Sequence, residues 1–383
     1  MTKMTGIGER LSLYVNDDIM PSDRAVNQLH AIAAEKGIEP PVVALPDVHD
    51  KKDNDFPTGI VAASKDRIFP QILVSGVNCG MRMMSTPIFY NELREKDIDI
   101  LFTSFVAEVR TRGYASEVLK LREIIDIMRK GALWVAEKRS SPNDEISYIE
   151  KAGNAFESSN IDKSVITSAI PKTMLELSRF RLGFLGKGNH FLEMQVIEEI
   201  LDASAAAEFR LRKGQIILLL HSGSGGLGSM VGHLYTPRAH YTKELKMRMF
   251  IAVEKAKSVF NKERKKIMRR ISDYTKNASG NMFSLEAGSI EAVQYINALS
   301  AASNFGYANR QYLADQAASI VAKNFSLKRS DIRTIYDMSH VSINREKQGG
   351  RYLWVHRCGA TRAFTSDMLE DSSVFKKTGE PVF

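Results

Sequence analysis

Cysteine is scarce in this chain: only Cys79 and Cys358 occur in 383 residues. Two thiols build no disulfide framework, and so small a number fits a reducing compartment. No apolar run approaches the roughly 20 residues that a membrane-spanning helix requires, so no membrane partner is predicted. The first residues, Met1-Thr2-Lys3-Met4-Thr5-Gly6, lack the apolar stretch of a secretory signal. There are no internal repeats and no low-complexity segments, which excludes a repeat architecture. These shortages together predict a cytoplasmic protein.

What is present is a 44% hydrophobic composition, ordinary for a globular protein and enough for a sizeable core. The formal charge is +8, which favours a polyanionic partner because each neutralised phosphate releases counterions. Lys262-Glu263-Arg264-Lys265-Lys266-Ile267-Met268-Arg269-Arg270 packs six basic residues into nine positions. Met249, Val253, Ala256, Phe260, Ile267 and Ile271 recur at helical spacing, so an amphipathic helix carries that run. A charge run on such a helix also reads as a solvated face, and nucleic-acid contact there stays open.

The pattern along the chain predicts an α/β fold. Val42 to Leu45, Gly59 to Ala63 and Gln71 to Val74 have strand length and composition. Ile98 to Arg112, Ala115 to Lys138 and Ser147 to Ala155 carry the longer helical period. Gln215 to Leu220 is an apolar run without alternation, as expected of a strand buried on both faces. Pro237 to Asn277 and Ser289 to Phe325 read as helical, and Tyr352 to Val355 as a strand. The plan is one mixed α/β domain over 1–383, with core blocks at about 1–90, 181–236 and 326–383. Two helical insertions fill about 91–180 and 237–325.

Four segments carry candidate chemistry. Cys79 lies in Gly76-Val77-Asn78-Cys79-Gly80, where a strand is predicted to end in a turn. His190 follows Gly186-Lys187-Gly188-Asn189, whose backbone donors can form an anion-holding nest. His221 opens the Gly/Ser-rich stretch Ser222-Gly223-Ser224-Gly225-Gly226, and His340 lies in Asp337-Met338-Ser339-His340. Imidazole and thiolate are soft-to-borderline metal ligands. Each also has an ordinary reading: a buried cysteine is a small core residue and a histidine suits a polar turn. His356-Arg357-Cys358-Gly359-Ala360-Thr361-Arg362 places arginines suited to phosphate late in the chain.

Taken in order, these pieces resemble the RtcB family of RNA-splicing ligases. The resemblance runs through Pro46-Asp47-Val48-His49, Val77-Asn78-Cys79-Gly80-Met81, Gly188-Asn189-His190-Phe191-Leu192-Glu193 and His221-Ser222-Gly223-Ser224. Asn309-Arg310, Ser339-His340 and His356 to Arg362 complete it. It implies an RtcB-like mixed α/β core and an enzyme that joins an RNA 3′-phosphate, or 2′,3′-cyclic phosphate, to a 5′-hydroxyl. The cofactors implied are Mn2+ and GTP, and the partners are RNA, as tRNA or broken RNA ends, and an activating protein. Cys79, His190, His221 and His340 match metal-ligand positions. Asn189, His190, Phe191, Leu192, Glu193, His340 and Val341 match nucleotide-binding positions, and Arg357 and Arg362 are the expected RNA or phosphate contacts.

The chain departs from the family pattern at definite places. Gly76 stands where an aspartate ligand is usual, leaving neutral Asn78 as a neighbour. Gly225, Val341 and Cys358 replace an arginine, an asparagine and a lysine. The histidine that takes up guanylate in the family falls beyond Phe383, so no catalytic nucleophile is expected within this sequence. The alternative expectation is a ligation-deficient relative that binds RNA ends or acts as a metal-dependent phosphoesterase.

Overall fold

A computed structural model describes residues 4–6, 9–51, 56–73, 76–111, 118–139, 141–142, 144–156, 158, 160–236 and 282–382. The basic run at 262–270 and the helix expected from Pro237 to Asn277 lie outside the described residues. The chain forms two compact units, each assembled from three separated segments. The first takes Met1–Ser75, Met230–Tyr295 and Ile343–Gly359; the second takes Gly76–Ser229, Ile296–Ser342 and Ala360–Phe383.

The strands are β1 (Met4–Gly6), β2 (Leu11–Tyr14), β3 (Ile38–His49), β4 (Thr58–Ser64), β5 (Arg67–Ile68) and β6 (Gly80–Phe89). They continue as β7 (Phe191–Val196), β8 (Gln215–Ser222), β9 (Leu285–Glu286), β10 (Arg333–Ser339), β11 (Val341–Gln348) and β12 (Arg351–Cys358). The described α-helices are α1 (Asp23–Ala34), α2 (Glu95–Glu108), α3 (Leu121–Lys130), α4 (Ala132–Arg139), α5 (Lys163–Ala169), α6 (Lys172–Ser178), α7 (Ala203–Phe209), α8 (Gly225–Tyr235) and α9 (Ile290–Asn324).

The first unit is built on a six-stranded sheet, β1-β2-β3-β4-β12-β11. Within it His356 on β12 is fully buried, and its Nε2 accepts from the Phe69 amide at 3.0 Å. Burial pushes the imidazole down from 6.5 to about 4. Between those values the unfolded chain binds a proton that the folded chain refuses, so stability rises with pH across this window. The loss is expected to reach about 3 kcal/mol as pH falls from 6.5 toward about 4. Urea unfolding at several pH values checks this, and the slope should shrink in His356→Gln.

The second unit is built on the four-stranded sheet β10-β6-β8-β7. As its apolar sequence predicts, β8 is buried at every position. Alternation divides it between two faces. Ile216, Leu218 and Leu220 pack with Leu313, Ala314, Ala317, Ala318 and Val321 of α9. That helix is 35 residues long, and residues 301–310 are buried without a break. Its many alanines let the helix lie close to the sheet, and the polar side chains that it buries there, Asn304, Asn309 and Arg310, are hydrogen-bonded.

Three expected elements take other forms. Of the strand expected from Gln71 to Val74, Val74 lies outside the described residues and Gln71–Leu73 form no strand: Pro70–Ile72 is a single 3-10 turn, started by a proline that has no amide for a ladder. The helix expected over Ala115 to Lys138 is broken at Gly131 (φ +62°), where a Cβ would lie 2.0 Å from the Gly153 carbonyl oxygen. Ser147 to Ala155 forms short 3-10 turns, with Lys151 and Ala152 in the left-handed region. Competing bonds hold it out of the helical path: Ile149 bridges to Asp337, and Glu150 accepts from the Ser339 amide at 2.8 Å.

Candidate metal centre

Register determines which side chains gather at one end of the second unit's sheet. Gly80 of β6 stands opposite Ser222 of β8 and Ser339 of β10. Along the row, Met84 and Leu218 face α9, so Gly80, Ser222 and Ser339 share that face by alternation. Their chain neighbours Cys79, His221 and His340 turn to the opposite face. The sheet pleat therefore brings three donors together from distant parts of the chain. Cys79 was expected after a strand; it instead precedes β6, at the end of a turn closed by its amide on the Gly76 carbonyl at 2.6 Å.

The distances are short. Cys79 Sγ lies 3.1 Å from His221 Nε2 and 3.2 Å from His190 Nε2, and His221 Nε2 lies 3.3 Å from His340 Nε2. Cys79 and His221 are buried, whereas His190 and His340 are half-buried. Two of the rings are oriented from behind. His190 Nδ1 pairs with the Leu185 carbonyl at 2.8 Å, and His221 Nδ1 with the Asn189 carbonyl at 3.0 Å. A carbonyl accepts only from N–H, so each Nδ1 is protonated and each neutral ring offers its Nε2 lone pair to the cluster. Burial lowers the pKa of His190, and the Arg310 cation acts in the same direction, against the Leu185 carbonyl.

The donor chemistry fits a divalent ion. Cys79, His221 and His340 form a group that could hold a metal, with donor atoms within 4.8 Å of one another. Nitrogens at about 2.1 Å from one tetrahedral ion stand roughly 3.4 Å apart, close to the His221–His340 separation. His190 extends this group through Cys79. Gly76 contributes no side chain, and the Asn78 amide lies against Gly306 of α9, where an added Cβ would meet Asn78 Oδ1 at 2.6 Å.

The loop before His190 has a strict requirement. Gly186 adopts φ +105°, and a Cβ there would approach His190 Nδ1 to 2.3 Å. Only glycine meets both conditions without displacing the ring.

The residues expected to bind nucleotide surround this cluster unevenly. Asn189 and Glu193 are exposed and Phe191 is half-buried. Phe191 meets His221 edge-on, with ring centroids 5.3 Å apart. Leu192 faces the other way, into the core under α9, so only its backbone is on offer. Val341 is buried; its carbonyl accepts from the Asn78 amide at 3.0 Å. The expected phosphate contacts are both occupied. In the first unit Arg357 is buried and pairs through both terminal nitrogens with Glu346, at 2.5 and 2.8 Å. In the second, Arg362 is gripped by Glu380 and lies 3.9 Å from Glu150. At either arginine a phosphate would meet a cation whose charge a carboxylate already balances.

Residues with no expected role lie on the helix side of the sheet. Arg82 and Arg310, both fully buried, share Asp337, with Nε–Oδ2 and Nη2–Oδ1 distances of 2.7 Å. The signal was in the sequence: a charge within each of two apolar strands, Met81-Arg82-Met83 and Tyr336-Asp337-Met338. Charges in such positions are rarely buried without a partner.

Comparison with known proteins is consistent over most of the chain. Residues 28–383 match the family described as tRNA-splicing ligase RtcB. A Methanopyrus kandleri protein named tRNA-splicing ligase RtcB is 31% identical over 359 residues, 89% of this chain and 33% of that protein. Proteins of the same name from Pyrobaculum aerophilum and Thermococcus kodakarensis are 28% and 26% identical over 95% and 97% of this chain. This chain spans a third of the first relative and about 70% of the other two.

Proposed function

We propose, because this chain belongs to the tRNA-splicing ligase RtcB family, that it acts on broken RNA at the Cys79–His cluster. The substrates are an RNA 3′-phosphate, or 2′,3′-cyclic phosphate, and a 5′-hydroxyl end, with GTP and Mn2+ as cofactors. One observation carries the reading: Cys79, His190, His221 and His340 converge from four separate segments at 3.1 to 3.3 Å.

In this reading Cys79 and His221 are the central donors, each beside two others, and His190 and His340 flank them. The Leu185 and Asn189 carbonyls keep the proton of two imidazoles on Nδ1, which leaves Nε2 as the atom that can ligate. When bound, the ion neutralises phosphoryl oxygens and lowers the pKa of an attacking hydroxyl or water. Asn189 to Glu193, with His340 and Val341, provide the nucleotide site. Phe191 offers a ring edge beside His221, and Asn189 and Glu193 supply exposed polar groups. No nucleophile is proposed within residues 1–383.

With Gly76 in place of a carboxylate, we expect one ion per chain, measured by elemental analysis of the purified protein. The same measurement identifies the metal. Family resemblance points to Mn2+, whereas a thiolate with three imidazoles is chemically closer to a zinc set.

The test of function incubates the protein with a broken tRNA stem-loop, GTP and Mn2+. Sealing that EDTA abolishes supports the ligase. Opening of the cyclic end without joining identifies a phosphoesterase instead. The lost aspartate position and the two occupied arginines favour this second reading. Equal affinity for 3′-phosphate and 3′-hydroxyl ends, with no sealing, removes end recognition altogether.

A further inference from the structure

Asn309 and Arg310 are consecutive on α9, beneath the end of the sheet that carries the donors. Arg310 is fully buried. Its Nη1 donates to the Asn78 carbonyl at 2.6 Å and to the Ser222 carbonyl at 3.2 Å. Those carbonyls belong to the residue before Cys79 and the residue after His221. The other side of the same guanidinium binds Asp337, three residues ahead of His340, from Nε at 3.0 Å and Nη2 at 2.7 Å. One planar fork thus ties together the three strands that end in donors, a geometry that an ammonium cannot reproduce.

Asn309 serves the fourth donor. Its Oδ1 accepts from the Gly183 and Phe184 amides at 2.8 and 3.2 Å. Its Nδ2 donates to the Phe184 carbonyl, Ser222 Oγ and the Gly223 carbonyl at 2.9 to 3.2 Å. Residues 183–185 are the support for His190, because the Leu185 carbonyl fixes its Nδ1, and Ser222 Oγ donates to that same carbonyl at 2.8 Å. Every hydrogen-bonding capacity of the Asn309 amide is in use.

We infer that Asn309 and Arg310 are the positioning residues of the donor cluster: two adjacent side chains that hold the backbone beside Cys79, His221 and the support of His190, and the carboxylate three residues ahead of His340. This rests on the metal reading above. It goes further by distinguishing residues that set the spacing of the donors from residues that merely fill the core.

The test compares Asn309→Asp and Arg310→Lys with Val321→Ala, which opens a cavity on the same helix about three turns beyond the clamp. Asn309→Asp removes the amide donors at nearly constant volume; Arg310→Lys keeps the charge facing Asp337 and removes the fork. Co2+ alone is titrated and followed by its thiolate charge-transfer band. Amide hydrogen exchange of the metal-free proteins is measured over 76–80 and 183–190. Loss of such supporting contacts is expected to weaken Co2+ binding about 10- to 100-fold. Exchange should quicken by about tenfold in both segments, while Val321→Ala changes both readouts by less than about threefold at the cost of thermal stability. Clamp variants that exchange like the wild type overturn the inference whether or not Co2+ binds. Variants that bind Co2+ no worse than Val321→Ala overturn it as well. A wild type that binds no Co2+, with exchange still quickened in the variants, overturns the metal reading alone. Should Arg310→Lys fail to fold, Asn309→Asp decides by the same criteria.

Discussion

Cys79→Ala is expected to weaken divalent-metal binding by more than about a hundredfold, a larger effect than the loss of either flanking histidine. Apparent binding energies of about 10–16 kcal/mol for four-donor sites give each donor about 3 kcal/mol, and 1.4 kcal/mol is a factor of ten. Cys79 exceeds an average share because its sulfur is the neighbour of both His190 and His221. Removing it takes away the donor 3.2 Å from His190 Nε2 and leaves that ring only its edge-on contact with His221, centroids 5.1 Å apart. His340→Ala, which removes a terminal member, should cost less. Isothermal titration of Co2+ or Zn2+ into the three proteins checks the order; equal losses in both variants would show that the thiolate has no central place. If the proposed ligase reading holds, RNA sealing by Cys79→Ala should fall with the metal affinity and recover in part at high metal concentration.

The largest effect on stability is expected at Asp337. Asp337→Ala leaves two guanidinium groups, those of Arg82 and Arg310, fully buried without their shared carboxylate. Breaking a buried ion pair from one side costs about 3–5 kcal/mol, because the remaining charge keeps its desolvation penalty without its partner. Here two charges are stranded, so the loss should lie at the upper end. Gln311, which accepts from Arg82 Nη1 at 2.7 Å, offsets part of it. Urea denaturation measures the difference. A loss below about 1 kcal/mol would mean that water or a neighbouring carboxylate replaces Asp337. Glu145, 3.8 Å from Arg82 Nη1, is the candidate replacement.

Much of the candidate site was legible in the sequence, for a chemical reason. Histidine and cysteine among glycines or small polar residues stand out where chain turns bring backbone close to a ligand, which marks Cys79, His190, His221 and His340 as candidates; the family resemblance adds the metal-ligand role. The Gln215 to Leu220 strand and the helix from Ser289 were legible because long apolar patterns dominate local preference. Less legible were effects settled by distant partners. Nothing local reveals that Glu150 turns inward to the Ser339 amide, which prevents a helix over Ser147 to Ala155. Nor does local sequence show that Arg357 and Arg362 are already paired, since Glu346 and Glu380 lie 11 and 18 residues away. The support from Asn309 and Arg310 escaped for the same reason. Their motif was visible, but its purpose depends on which carbonyls the sheet register places above α9.

That register has a consequence for how the protein can change over time. Gly80, Ser222 and Ser339 form one transverse row, with paired charges on one side of the sheet and the thiol and imidazoles on the other. Deleting one residue within β6, β8 or β10 would exchange the two sides of that strand at once, stranding a guanidinium or a carboxylate and turning a donor inward. Length variation among descendants of this chain should therefore collect in the connecting loops, while the three strand ends drift only by substitutions that respect both sides together.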